Sequence, residues 1–302
     1  MTSGTPVVRG VTVRGCLGLV SSSTFGGGAV VLGAEATFED VTFVGNAANF
    51  GGAVHLQDSP PITFVRCVFS ANTGTTGGAL YVVRTSVSAV NCTFAENTAD
   101  NGGAVYATTG GAVVAHGSVF SHNSVPGFGG ALLARSGATL NVSGSTFTDN
   151  DAGTGGAAHV ETGSVLAAST STFAGNAAEL AGGTIHVSAS ATLAADRVGC
   201  RCASTGGALL AFASPVTVVN SSFVGNTAVQ GGAVAVVRPS NSTFSGCTFV
   251  DNAAVLTSTA VAGGDANPEA NGGGVYLEAT SATLRDCSFR NSVADHGAGV
   301  YA

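Results

Sequence analysis

The sequence predicts an all-β chain, a single-stranded right-handed parallel β-helix of about 11–12 coils of ~25 residues each. Three observations carry this. A Gly-Gly pair followed by a small and then an aliphatic residue recurs from end to end. A second motif, Phe-x-x-Asn, keeps step with it. Short runs between the two alternate apolar and polar residues, as in Val87-Ser88-Ala89-Val90 and Ala138-Thr139-Leu140-Asn141-Val142.

The glycine pairs are Gly27-Gly28, Gly51-Gly52, Gly77-Gly78, Gly102-Gly103, Gly129-Gly130, Gly155-Gly156, Gly182-Gly183, Gly206-Gly207, Gly231-Gly232 and Gly272-Gly273, closed by the variant Gly297-Ala298. They start 24 to 27 residues apart, save one spacing of 41. A fixed period of this size marks a solenoid. Glycine permits a tight corner with positive φ. The second motif reads Phe43/Asn46, Phe69/Asn72, Phe94/Asn97, Phe120/Asn123, Phe147/Asn150, Phe173/Asn176, Phe223/Asn226 and Phe249/Asn252. These positions are expected to build the interior, Phe stacking on Phe and Asn bonding to Asn along the axis. In one coil the Phe slot reads as Val198 and the Asn slot as Arg201. The last coil has Phe289, with Asn291 one place early.

Period-2 runs give each strand an inward and an outward face. Parallel strands joined by crossovers favour the right-handed turn. Ten coil steps of roughly 4.8 Å make a rod on the order of 50 Å long. The 41-residue spacing predicts an inserted surface loop over 254–270 in an otherwise single domain spanning 1–302. Insertions in solenoids map to surface loops, often on a binding face.

Composition narrows the function classes. Hydrophobic residues make up 45% and charged residues 9%, so the chain has enough apolar surface to fold. No 18-residue apolar run marks a membrane helix. All ten basic residues are Arg and the net charge is −7, which argues against nucleic acid and anionic membranes as partners. Met1–Gly15 does not read as a signal peptide, and both ends lack a cap, so a fragment of a longer chain is expected.

The paired GGA[VLI] and FxxN motifs, from Gly27 to Tyr301, resemble the repeat of chlamydial-type polymorphic outer membrane proteins. The resemblance implies a right-handed β-helix displayed at a cell surface, or outside the cell, with adhesin activity. It implies a protein or glycan partner on another cell or matrix, with membrane association only through segments outside this chain. The family's secretion leader and C-terminal β-barrel have no counterpart here.

Candidate functional residues fall into columns, because equivalent positions of successive coils stack. The position four after the first Gly reads Val31, His55, Tyr81, Tyr106, Leu133, His159, His186, Leu210, Ala235, Tyr276, Tyr301. All four tyrosines lie here, and the preceding aliphatic residue should point inward. Tyr81, Tyr106, His159 and His186 are therefore expected to be exposed, either as a stacking ladder or as a ligand stripe. A second column, Glu96, His122 and Asp149, reads as a solvated polar rim or a weak metal-binding set. Cys67, Cys92, Cys247 and Cys287 each sit two residues before a Phe, in a slot for small inward residues, and free thiols are expected there. Cys200-Arg201-Cys202 lacks the second cysteine pair of a zinc ribbon. Asp265, Asn267 and Glu269 are spaced like early calcium-loop ligands, without the glycine and distal Glu such a loop needs. Neither a metal nor a cofactor is expected.

Four N-x-S/T sequons, at Asn91, Asn141, Asn220 and Asn241, permit glycosylation in a eukaryotic secretory route, although about that many arise by chance. Parallel β-helices also host polysaccharide lyases and galacturonases. Asp149, Asp151 and Arg135 are the candidates for such chemistry, but Lys and a dense acidic groove are missing. The leading expectation is a non-catalytic adhesin or recognition module. The alternatives are a polysaccharide-active enzyme and a structural spacer rod.

Overall fold

The computed structural model describes residues 6–18, 24–196, 199–201, 207–238, 240–255 and 270–302. No helix occurs among them. Three sheets of eleven parallel strands each run the length of the molecule, with short two-stranded patches at one corner. Neighbours within a sheet come from successive coils, so the fold is the expected parallel β-helix.

One coil shows how sequence sets each element. The first-sheet strand Ala112–His116 turns Val113 and Ala115 inward and leaves Ala112, Val114 and His116 outside. Gly117, in the left-handed region at φ 59°, ends it. The second-sheet strand Val119–Ser121 carries Phe120 into the core. A second left-handed residue, His122 at φ 54°, turns the chain so that Asn123 enters the interior. The Gly129-Gly130 corner follows. Gly129 has φ 69°, and a Cβ on Gly130 would lie 2.1 Å from the Gly156 carbonyl of the next coil. The third-sheet strand Leu132–Ala134 completes the turn.

The core is two axial stacks. Phe43, Phe69, Phe94, Phe120, Phe147 and Phe173 lie with ring centroids 4.6–5.0 Å apart and planes within 9°. Phe223, Phe249 and Phe289 repeat the arrangement at 5.0 and 4.7 Å. Beside them Asn46, Asn72, Asn97, Asn123, Asn150 and Asn176 form a buried amide ladder. From Asn46 to Asn150 each Nδ2 donates to the Oδ1 of the next coil at 2.8–3.0 Å. Each Oδ1 from Asn72 onward also accepts the backbone N–H of the Asn before it. The second Nδ2 hydrogen goes to the preceding coil's Phe carbonyl, as from Asn123 to Phe94 at 3.0 Å. Asn226 and Asn252 extend the pattern at 2.8 Å.

The cysteine slot is inward, as expected. Cys67, Cys92 and Cys247 are buried free thiols and Cys287 is a half-buried one. Each donates to a carbonyl of the preceding coil at 3.3–3.5 Å. Serines in the same slot go further. The Cys92, Ser118 and Ser145 backbone N–H groups donate to the hydroxyls of Ser118, Ser145 and Ser171 at 3.1–3.2 Å, a second ladder that sequence reading did not anticipate.

Three register assignments need correction. In the first coil the corner pair is Gly26-Gly27, not Gly27-Gly28: Gly26 has φ 47°, and Val30 rather than Val31 pairs with His55. The Phe slot between Phe173 and Phe223 is Cys200, not Val198. Arg201 pairs with Ala174, so it does not stand in the Asn row. Asn291 takes the left-handed corner at φ 52° and donates to Asp251 across coils at 3.0 Å. Most of the 254–270 insertion, with Asp265, Asn267 and Glu269, lies outside the described residues, as do Val198 and Cys202.

Replacing Asn123 by Ala removes the only acceptor for both the Asn97 backbone N–H and one Asn97 Nδ2 hydrogen. Each buried group so orphaned costs about 1–3 kcal/mol. Asn123→Ala is therefore expected to destabilise the protein about as much as Phe120→Ala, roughly 3–5 kcal/mol, although it deletes a smaller side chain. Denaturant unfolding of the two variants checks this. An Asn123→Ala loss below about 1 kcal/mol would contradict the ladder's role.

Candidate functional site

The third sheet places its outward residues in rows along the rod. The central row is Val30, His55, Tyr81, Tyr106, Leu133, His159, His186, Leu210, Ala235, Tyr276, Tyr301, in register throughout. Its rings contact one another between coils: His55 stacks on Tyr81 at 5.3 Å, His159 on His186 at 4.7 Å and Tyr276 on Tyr301 at 5.5 Å, while Tyr81 and Tyr106 meet tilted by 32° at 5.4 Å.

The row points away from the core, yet much of it is covered, which corrects the expectation of exposure. Tyr106 is 8% and His159 3% exposed, while Tyr81 and His186 are half-buried. The cover comes from two flanking rows. On one side stand the residues just before each glycine corner. Phe25 packs edge-on to His55 at 4.7 Å, Phe50 tilts over Tyr81 at 5.1 Å, and Phe128 leans over His159 at 4.8 Å. Each reaches forward onto the next coil. Two of these covering rings are themselves in solvent, Phe25 at 49% and Phe128 at 40% exposure, and Phe50 is half-buried. Sequence reading missed both, because neither belongs to a repeated motif.

On the other side lie residues two places further along each strand. Gln57 bonds His55 at 3.3 Å, and Tyr276 donates to Glu278 at 3.2 Å. Between them sits the main charged cluster of this face. Arg135 Nη1 donates to the Tyr106 hydroxyl at 3.2 Å and Arg135 Nη2 lies 2.7 Å from Glu161 Oε1. Glu161 Oε2 is 3.6 Å from His159 Nε2, beyond hydrogen-bond length. The facing His159 imidazole and then Arg135 hold the Glu161 carboxyl below its ordinary range, against burial. Burial, and then the neighbouring Tyr106, raise the Tyr81 hydroxyl. Burial, reinforced by His159, pushes His186 down to about 3. A guanidinium on Glu161 disfavours a cation there, and no metal-competent group of His, Cys, Asp or Glu occurs among the described residues.

Glu96, His122 and Asp149 are not brought into a pocket. They occupy the left-handed corner after Phe, at φ 58°, 54° and 53°. His122 and Asp149 are 3.8 Å apart, with both side chains more than half exposed, which is a solvated rim.

Eleven in-register rungs around an axial core define a β-solenoid with one side-chain-lined aromatic face. The turn is right-handed. The family model described as "Right handed beta helix region" matches residues 2–178 and again 159–302, and the chain belongs to that family. Comparison with curated proteins and with solved structures gave no match.

His186 generates a pH prediction. Its pKa is near 6.5 when unfolded and about 3 when folded, so the unfolded chain binds the extra proton between those values. Stability is then full above about pH 6.5 and falls as pH drops toward 3, by at most ~1.4 kcal/mol per pH unit. Leucine already fills this row at Leu133 and Leu210. His186→Leu is expected to flatten the fall, read as the difference between wild-type and variant melting curves from pH 7 to pH 4.

Proposed function

We propose that the protein is a non-catalytic recognition module displayed at a cell surface or in the extracellular space, binding a protein or glycan of another cell or matrix through the aromatic face of its third sheet. The observation that carries this is the pair of exposed flanking rings, Phe25 and Phe128, with half-buried Tyr81 beside them, on a frame of stacked His and Tyr. Rigid aromatic area on an extended face is what partner recognition uses. The likeness of the repeats to polymorphic outer membrane proteins supports a surface role. Right-handed β-helix domains occur in pectate-lyase-like enzymes and in adhesins alike, so the fold leaves the choice to the side chains.

The enzymatic alternative has one point in its favour. Burial, with Glu179 nearby, raises the Asp151 carboxyl, as a general acid requires. Against it, Arg135 is committed to Tyr106 and Glu161 rather than free beside a substrate.

Because Arg135 holds Tyr106, the test spares that tyrosine. Labelled wild-type protein is compared with Tyr81→Ala/Phe128→Ala for binding to intact cells and matrix, with folding checked by thermal melt. Losing an interface anchor costs over ~1 kcal/mol, so a fall in affinity of about fivefold or more is expected. Unchanged binding by a well-folded double variant would move the site off this face. Release of reducing or unsaturated ends from a uronic-acid polymer, abolished by Asp149→Ala or Asp151→Ala, would establish the enzyme instead.

A further inference from the structure

The recognition reading leaves the four sequons unused, and the fold gives them a shared address. Asn91, Asn141, Asn220 and Asn241 are all exposed. Asn141 and Asn241 stand on outward positions of the first-sheet strands Thr139–Ser143 and Asn241–Ser245. Asn91 and Asn220 occupy the left-handed corner that closes that same sheet, at φ 53° and 48°. None of the four lies on the third sheet. The ladder asparagines could not serve: they are fully buried, and where Ser or Thr follows them it comes one residue on rather than two.

The next-coil neighbour of each acceptor is small: Gly117, Ala167, Gly246 and Ser281. On the coil after Asn91 the corner residue is Gly117, and after Asn220 it is Gly246. A Cβ at these glycines would come within 2.5 and 2.6 Å of the asparagine Oδ1, so any other residue would crowd the amide. On the sheet itself, Asn141, Ala167, Ala194 and Thr217 follow one another in a single outward row. Ala167, Ala194, Thr217 and Val219 line an apolar trough of about 250 Å³ that starts beside Asn141 and ends beside Asn220. Asn241 forms part of the wall of a second depression, of about 510 Å³, with Ser240, Thr280 and Ser281. Two of the molecule's surface depressions therefore adjoin sequons. The alanine methyls of the first match the apolar ring face and acetamido methyl of an N-acetylhexosamine.

We propose that Asn91, Asn141, Asn220 and Asn241 carry N-linked glycans, with the first sugar on Asn141 seated in the Ala167–Ala194–Thr217 trough. In the transfer, the asparagine Nδ2 forms a bond to the anomeric carbon of a lipid-pyrophosphate-linked oligosaccharide. The anomeric C–O bond breaks, the lipid pyrophosphate leaves with its electron pair, and the amide proton passes to a base of the transferase. The first sheet and its corner become a sugar-coated side, and the aromatic third sheet stays bare. The proposal holds whether or not that bare face binds a partner.

Glycopeptide mass spectrometry on the full chain purified from its own cells, with and without peptide N-glycosidase in ¹⁸O-water, tests it. The expected result is a glycan at all four asparagines, each converted to ¹⁸O-labelled Asp by the glycosidase. Four unmodified sites would overturn the proposal, and a single unmodified site would overturn the assignment of that asparagine. The trough is tested separately: removing the glycan should shift the Ala167 and Ala194 methyl resonances in wild type but not in Asn141→Gln. Unmoved methyl signals in glycosylated wild type would overturn the seating. The fourfold Asn→Gln variant should keep its thermal melt near wild type, since no acceptor side chain enters the core. If it does so while cell binding persists, the glycans and the recognition face are shown to be separate properties.

Discussion

A buried carboxamide has two donors and an acceptor with two lone pairs, and the interior of a solenoid this narrow offers few partners other than its own repeats. The Asn row resolves this by bonding coil to coil. The Oδ1 of Asn123 takes two donors from Asn97, while Asn123 Nδ2 gives one hydrogen to Asn150 and one to the Phe94 carbonyl. The arrangement closes only if each coil lies directly above the last. A one-residue slip would turn the Asn out and leave its neighbours unpaired in a dry core. The Phe stack tolerates small shifts and supplies the burial. The amide ladder supplies the register, and every outer row inherits its alignment from it.

The outer rows follow from that alignment. The same vertical registration that stacks Phe on Phe places Tyr81 on Tyr106 and His159 on His186. It also brings opposite charges together at the corners, Arg66 with Asp40 and Arg84 with Asp58. Where one coil gains a residue, the strain is local. Ala152 pairs with Ala178 but Thr154 with Ala181, and the extra residue leaves Leu180 74% exposed. Register is recovered by the next glycine corner, and His159 still faces His186.

The fold was legible because its signals are local and repeated. Phe94, Asn97 and Gly102-Gly103 each announce their place within one coil. Misreadings came where a local signal was ambiguous. Three consecutive glycines, Gly26 to Gly28, hid which two form the first corner. Cys200, not Val198, holds the Phe register position, because the spacing back from Gly206 is shorter in that coil than the repeat suggests. The candidate face was legible only by half. Alternation shows that Tyr106 and His159 point outward, but not that Phe128, from the corner of the preceding coil, covers His159. Covering is a contact between coils that no period within one coil encodes. The Arg135–Glu161 pair, 26 residues apart and outside either motif, left no signal for the same reason.

The amide ladder also gives the rod an electrical direction. From Asn46 to Asn150 one Nδ2 hydrogen of each amide points toward the next coil, and from Asn72 to Asn176 each Oδ1 points toward the previous one. Six parallel amide dipoles, shielded from water and polarising one another, add head to tail as peptide dipoles do in a helix. The end at Asn176 is the positive pole and the end at Asn46 the negative. The interior of this stretch thus carries an axial field that no pattern of surface charge created, and reversing one amide would set two carbonyl oxygens against each other.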